Sequence, residues 1–126
     1  MKLLTHNLLS SKSLKGVKVG YPLRIIAKDV KISESAFNKE FVKRIIPKLD
    51  WKVFVNAAVQ IGHGNDLSDE LIDDYEDDEE YLKKVHHVLM EVEIINGELI
   101  CPETARVFPI SSGIPNLLLN ENEISP

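Results

Sequence analysis

Strand-forming sequence lies at both ends of this chain and helical sequence lies between them, so one sheet must be assembled from two segments far apart. At the front, Leu3–Leu9 reads as a short strand and residues 10–20 as a Ser-, Lys- and Gly-rich loop. Tyr21–Ala27 reads as a second strand, with Pro22 near its start, where an edge position tolerates a missing donor. Near Ser33 the period changes. Asn38 is placed to cap a helix with Phe41, Val42, Ile45 and Ile46 on one face, and Pro47 stops it. Asp50 caps a second helix bearing Trp51, Phe54, Val55, Ala58 and Ile61, and Gly62 ends it at C′. Tyr81, Leu82, Val85, Val88 and Leu89 mark a third. Strand signals return at Glu91–Ile95 and Glu98–Ile100, and Asn96-Gly97 between them reads as a tight hairpin turn. Thr104–Ile110 supplies another strand.

The fold this pattern predicts is α+β. A small zinc-ribbon-like antiparallel β-domain is built from residues 1–32 and 91–126, and a helical insertion occupies residues 33–90. A chain of 126 residues suits one domain with an insertion, and its core is feasible without staples. The single cysteine excludes an internal disulfide. No apolar run approaches the roughly 20 residues that span a bilayer. The opening MKLLTHNLLSSK is too short and too polar for a signal peptide. A cytoplasmic and nuclear location, without membrane, is expected.

Charge is distributed unevenly. Residues 1–52 hold 12 Lys or Arg against 4 Asp or Glu, and residues 53–126 hold 3 against 16. The basic half offers an alternative function, a small RNA-binding module. Its lysines are scattered and no aromatic residues interleave with them, so a solvated surface is the favoured reading. The acidic stretch 69–80 reads either as a mimic of phosphate or as a solvated helix start; carboxylates favour the positive end of a helix dipole, which favours the second.

The chemistry-bearing residues do not add up to an active site. Cys101-Pro102 opens like half of a metal knuckle, but a zinc site needs four ligands, usually in two close pairs. Thr104 cannot complete one pair, and Ser11 and Gly16 on the N-terminal loop cannot supply the other. His86 and His87 are consecutive, so on a helix they point about 100° apart. A metal-dependent enzyme using His86, His87 and Cys101 is a further alternative. Ser111-Ser112-Gly113 lacks the Gly-x-Ser-x-Gly elbow, and the isolated glycines form no phosphate loop. Catalysis by this chain alone is not expected. The tail Gly113–Leu119 is uncharged and ends in three leucines, and the start carries the doublets Leu3-Leu4 and Leu8-Leu9. Successive strand residues face opposite ways, so some of these leucines must point outward and form an apolar patch, the usual mark of a partner site.

MKLLTHNLL, Phe37-Asn38 with Phe41, His86-His87 with Leu89, and CPETARVFPISSGIPNLLL together resemble the eukaryotic zinc-finger-like methyltransferase activator subunit. The resemblance covers essentially the whole chain. It implies a non-catalytic subunit that binds S-adenosylmethionine-dependent methyltransferases one at a time, keeps them soluble and helps them hold the methyl donor. Their substrates would be tRNA, rRNA and translation release factor. The complexes would be heterodimers, mutually exclusive among partners, and RNA would be met only through the partner. No cofactor would sit on this chain. The four cysteines of zinc-containing members would fall at Ser11, Gly16, Cys101 and Thr104, so no metal is expected. The implied contact set is Leu4, Thr5, Asn7, Leu8, Phe108, Pro109, Ile110, Ile114, Pro115, Asn116, Leu117 and Leu118, with strand pairing supplied near Thr5–Leu8 or Phe108–Ile110.

Overall fold

The computed structural model describes residues 1–65 and 67–124. It is an α+β fold with one four-stranded antiparallel sheet in the order β1-β2-β3-β4. Strand β1 (Arg24–Ile32) comes from the front of the chain; β2 (Val92–Ile100), β3 (Val107–Ser111) and the short β4 (Ile114–Pro115) come from its end. Helices α2 (Lys39–Ile45), α3 (Trp51–Gln60) and α4 (Glu79–His86) lie between β1 and β2 in the chain.

Local chemistry explains these helices. Asn38, Asp50 and Asp78 each accept the N–H three residues on, at 3.0, 3.3 and 3.1 Å. Pro47 converts the end of α2 into a 3-10 turn, Ile46–Lys48. Gly62 follows α3 with φ +81°, the left-handed conformation a helix terminus favours. The acidic stretch forms only a 3-10 turn, Tyr75–Asp77, before α4 begins at Glu79. A π-helical turn, His87–Glu91, leads from α4 into β2. One core joins the layers: Val42, Ile46, Phe54, Leu82, Val85 and Leu89 from the helical side meet Ile94, Leu99 and Phe108 from the sheet.

Two sequence expectations fail, each for a physical reason. Leu3–Leu8 is a helix, α1, not a strand. Its buried residues are Leu3, His6 and Asn7, at i, i+3 and i+4, so its inward face is two-thirds polar. The His6 ring bonds the Leu23 carbonyl (2.7 Å), and the Asn7 side chain exchanges hydrogen bonds with the Asp50 backbone, donating to its carbonyl and accepting from its N–H, both at 3.0 Å. Asn96-Gly97 is not a hairpin turn either. Strand β2 runs straight through it, opposite an irregular step in β1 at Ala27–Val30. Gly97 is there because a Cβ at that position would collide with the Ile26 carbonyl oxygen.

Candidate functional site

The tail after β3 and the segment carrying α1 are tied to one another at both ends. The Met1 amine donates to the carbonyls of Ile94 (2.5 Å) and Gly113 (2.8 Å), immediately before β4. Further along, Leu117 and Leu119 line a cavity of about 210 Å³ with Ser10, Ser11, Ser13 and Leu14, over Phe108. At the far end the Lys15 N–H donates to the Glu123 carbonyl at 2.6 Å, and the Arg106 guanidinium forks onto the Glu123 carboxylate at 2.6 and 3.2 Å. The tail alternates like a strand. Leu117 and Leu119 are half-buried against the core, while Ile114 (68% exposed) and Leu118 (80%) face outward. On α1, Leu8 is 74% exposed, Thr5 is exposed and Leu4 is half-buried. Pro109 and Asn116 are exposed and Pro115 half-buried.

Three members of the expected contact set are buried, and Leu117 is turned partly against the core. Phe108 (1% exposed) and Ile110 belong to the core, because the inward face of β3 packs beneath the tail. Asn7 is buried on the Asp50 backbone. The expected backbone pairing sites move as well. Thr5–Leu8 is helical, so its N–H and C=O groups follow the helix. Phe108 and Ile110 pair with Leu99 and Gly97 of β2. The free margin lies one strand further out. Asn116 N–H donates to the Pro109 carbonyl at 2.9 Å, and Ser111 pairs with Ile114. The alternation of an antiparallel ladder then turns the Pro115 carbonyl and the Leu117 N–H away from β3. Sequence could have revealed this through the uncharged stretch after Gly113; the inward turn of Phe108 required the register.

The opposite margin, β1, has a different character. Gln60 takes the Ile25 N–H at 2.8 Å, and the rest of the strand interleaves the exposed charges of Lys28, Asp29 and Lys31 with partly exposed Ile26, Val30 and Ile32 beside the irregular step. Charge and irregularity are the usual means of blunting an edge.

Around Cys101, three of the four positions implied for zinc ligands come together. The Ser11 hydroxyl donates to the Cys101 sulfur at 3.0 Å and the Thr104 N–H at 3.4 Å. Burial pushes the Cys101 thiol up, but hydrogen bonds from Ser11, Thr104 and the Glu103 N–H outweigh it and lower its pKa. Gly16 is exposed and has no side chain to offer. One sulfur among hydroxyls and N–H groups is not the tetrahedral N/S donor set of a structural zinc site, so these residues do not fit the metal. Beside them the Glu103 carboxylate accepts from three successive backbone N–H groups, Lys18 (2.9 Å), Val19 (2.9 Å) and Gly20 (2.6 Å). These bonds hold its carboxyl below the usual range.

His86 and His87 do not join Cys101. They flank Glu91, with His87 Nδ1 at 2.8 Å and His86 Nε2 at 3.8 Å, and Glu91 also accepts the Ser35 N–H at 2.9 Å. Among the described residues no group of three or more His, Cys, Asp or Glu is placed to hold a metal, and no helix is long and apolar enough to cross a membrane.

Outward aliphatic side chains beside a stretch of backbone that is unpaired among the described residues define a class: a small module whose working part is a surface for another protein. A family model described as Trm112p-like protein matches residues 2–113, and the chain belongs to that family. It is similar to a multifunctional methyltransferase subunit TRM112-like protein of Mus musculus, 52% identical over 124 residues and covering 98% of both chains. It is also similar to multifunctional methyltransferase subunit TRM112 homolog A of Arabidopsis thaliana, 44% identical over 126 residues, with 98% of this chain and 100% of that one covered. Its fold matches a chain of the E. cuniculi Mtq2–Trm112 complex, described as responsible for methylation of the eRF1 translation termination factor, with TM-score 0.59 and 22% identity over 94% of this chain and 95% of that one.

Proposed function

We propose that this chain is a non-catalytic activating and stabilising subunit of S-adenosylmethionine-dependent methyltransferases. The observation that carries the proposal is the outward pair Ile114 and Leu118 along the tail's free backbone, with Leu8 exposed on α1. A partner strand laid along Pro115–Leu117 gains main-chain hydrogen bonds, and its neighbouring apolar side chains cover Ile114 and Leu118. Such a pairing removes sticky surface from both proteins, the physical content of keeping an enzyme soluble. The relatives' names, methyltransferase subunits at up to 52% identity across nearly the full length, support the partner class.

The contact set under this reading is Leu4, Thr5, Leu8, Pro109, Ile114, Pro115, Asn116 and Leu118 through side chains, with Leu117 contributing backbone. Partners bind one at a time because they share this one margin. The methyl donor is held by the partner, and tRNA, rRNA and release factor are the partner's substrates. The subunit works where those substrates are made and used, in nucleus and cytoplasm. The zinc-finger-like character implied by the sequence survives in this reading as a knuckle shape packed around Cys101 without metal.

The test is co-purification. Ile114→Asp with Leu118→Asp abolishes recovery of methyltransferases from a cell extract while thermal stability stays within about 0.5 kcal/mol, as expected at exposed positions. Phe108→Ala is the contrasting control: it lowers stability by about 3–5 kcal/mol because it empties the core. Normal recovery with the double aspartate variant refutes the proposal.

A further inference from the structure

Helix α2 carries an aromatic ring away from the core. Its buried residues are Val42 and, in the turn that continues it, Ile46. Phe41 is half-buried and stands outside the core cluster. Phe41, Arg44, Ile45 and Lys48 fall at i, i+3, i+4 and i+7, one stripe along α2 and the Ile46–Lys48 turn. Together they line a shallow depression of about 150 Å³. Arg44 and Lys48 are exposed, and among the described residues neither forms an ion pair with a carboxylate. Nearby Lys43 has only a 3.9 Å contact with the exposed Glu40, a pairing of little energetic weight. Asp50, the other carboxylate of residues 39–52, is occupied in capping α3.

One aromatic ring thus begins a stripe that continues into two cations without carboxylate partners; Arg44 Nε reaches only the Glu40 backbone carbonyl, at 3.4 Å. We propose that the stripe binds single-stranded RNA, with one base stacked on Phe41 and neighbouring phosphates held by Arg44 and Lys48. The cations share the stripe with Phe41 and Ile45, whereas a membrane-binding face would separate charged and apolar sides. An acidic protein would need the cations but gives no reason for the Phe41 ring to lie in line with them. The inference goes beyond the methyltransferase-subunit reading: it gives this chain its own hold on an RNA that the partner brings.

The test is fluorescence anisotropy of the full chain with a short labelled oligouridine at about 50 and 200 mM salt. Arg44→Glu with Lys48→Glu weakens binding at least tenfold and flattens the slope of log K against log salt by about 1.4, since each single-strand phosphate contact contributes about 0.7. Phe41→Ala weakens binding about tenfold and leaves the slope unchanged. Ultraviolet cross-linking places the RNA on the peptide containing Phe41. Arg44→Gln with Lys48→Gln gives the same direction of change should charge reversal disturb folding, which a thermal melt reports. Methyltransferase recovery is the same in all these variants, so this inference and the proposed function fail separately. The inference is overturned by absence of RNA binding, by binding that ignores these substitutions, or by a cross-link elsewhere. It is equally overturned if phosphatidylserine vesicles bind in place of RNA, or if charge reversal abolishes methyltransferase recovery, which assigns the stripe to the enzyme.

Discussion

The Ser11 hydroxyl lies 3.0 Å from the Cys101 sulfur and donates to it across 90 residues of sequence. This bond fastens the N-terminal loop to the turn between β2 and β3. Ser11→Ala lowers stability by about 1 kcal/mol, the net value of one such bond, in a denaturant titration. A chelator leaves the melting temperature of the wild type unchanged. A chelator-induced drop would mean that the knuckle holds metal after all.

Glu103 provides the second fastening and titrates. Its carboxyl is depressed by the N–H groups of Lys18, Gly20 and Val19. The folded state therefore binds that proton less readily than the unfolded chain, whose reference is 4.5. The stabilisation is fully present above 4.5 and is lost as pH falls through the lower folded value. Glu103→Gln melts below wild type at neutral pH, and the gap closes in acid. A gap independent of pH would show that the charge on Glu103 is irrelevant.

His6 also costs stability in acid, but from a different cause and at higher pH. Burial lowers its pKa from 6.5, and the Leu23 carbonyl only partly offsets this. The unfolded chain thus takes up a proton that the folded chain resists, so stability declines as pH falls below about 6.5 and levels off below the folded value. His6→Gln keeps a donor for the Leu23 carbonyl but removes the titration. Its stability curve between pH 7 and 5 is flatter than that of wild type; parallel curves would exclude His6 as the source.

Gly97→Ala tests the crossing of β1 and β2. The added methyl meets the Ile26 carbonyl, a backbone atom that cannot swing aside. The expected loss is about 1–3 kcal/mol or more in thermal unfolding, the usual cost of forcing extra volume into a packed site. A neutral substitution would show that β1 shifts freely over β2.

The helical middle was legible because its signals are local. Asn38 and Asp50 cap where their spacing places them, and Gly62 ends α3. Helix α1 was not legible, because half its evidence is polar. His6 and Asn7 face inward only because Leu23 and Asp50, distant in sequence, offer them partners. Asn96-Gly97 carries a strong hairpin signal, but a strand from the other end of the chain uses the glycine for close approach. The same non-locality governed the site. That the uncharged tail would expose leucines could be read from composition and alternation. Which residues they are depends on β3 burying Phe108 and Ile110, which leaves Ile114 and Leu118 outside.

The contrast between the blunted β1 edge and the open tail has a consequence for assembly geometry. A sheet with two receptive borders can recruit copies indefinitely and grow into a fibre. In this one the tail border is open, while charges and an irregular step disfavour pairing along β1. Under the proposed function it would act as a terminator, closing off another protein's sheet without offering an equally receptive border for a further copy.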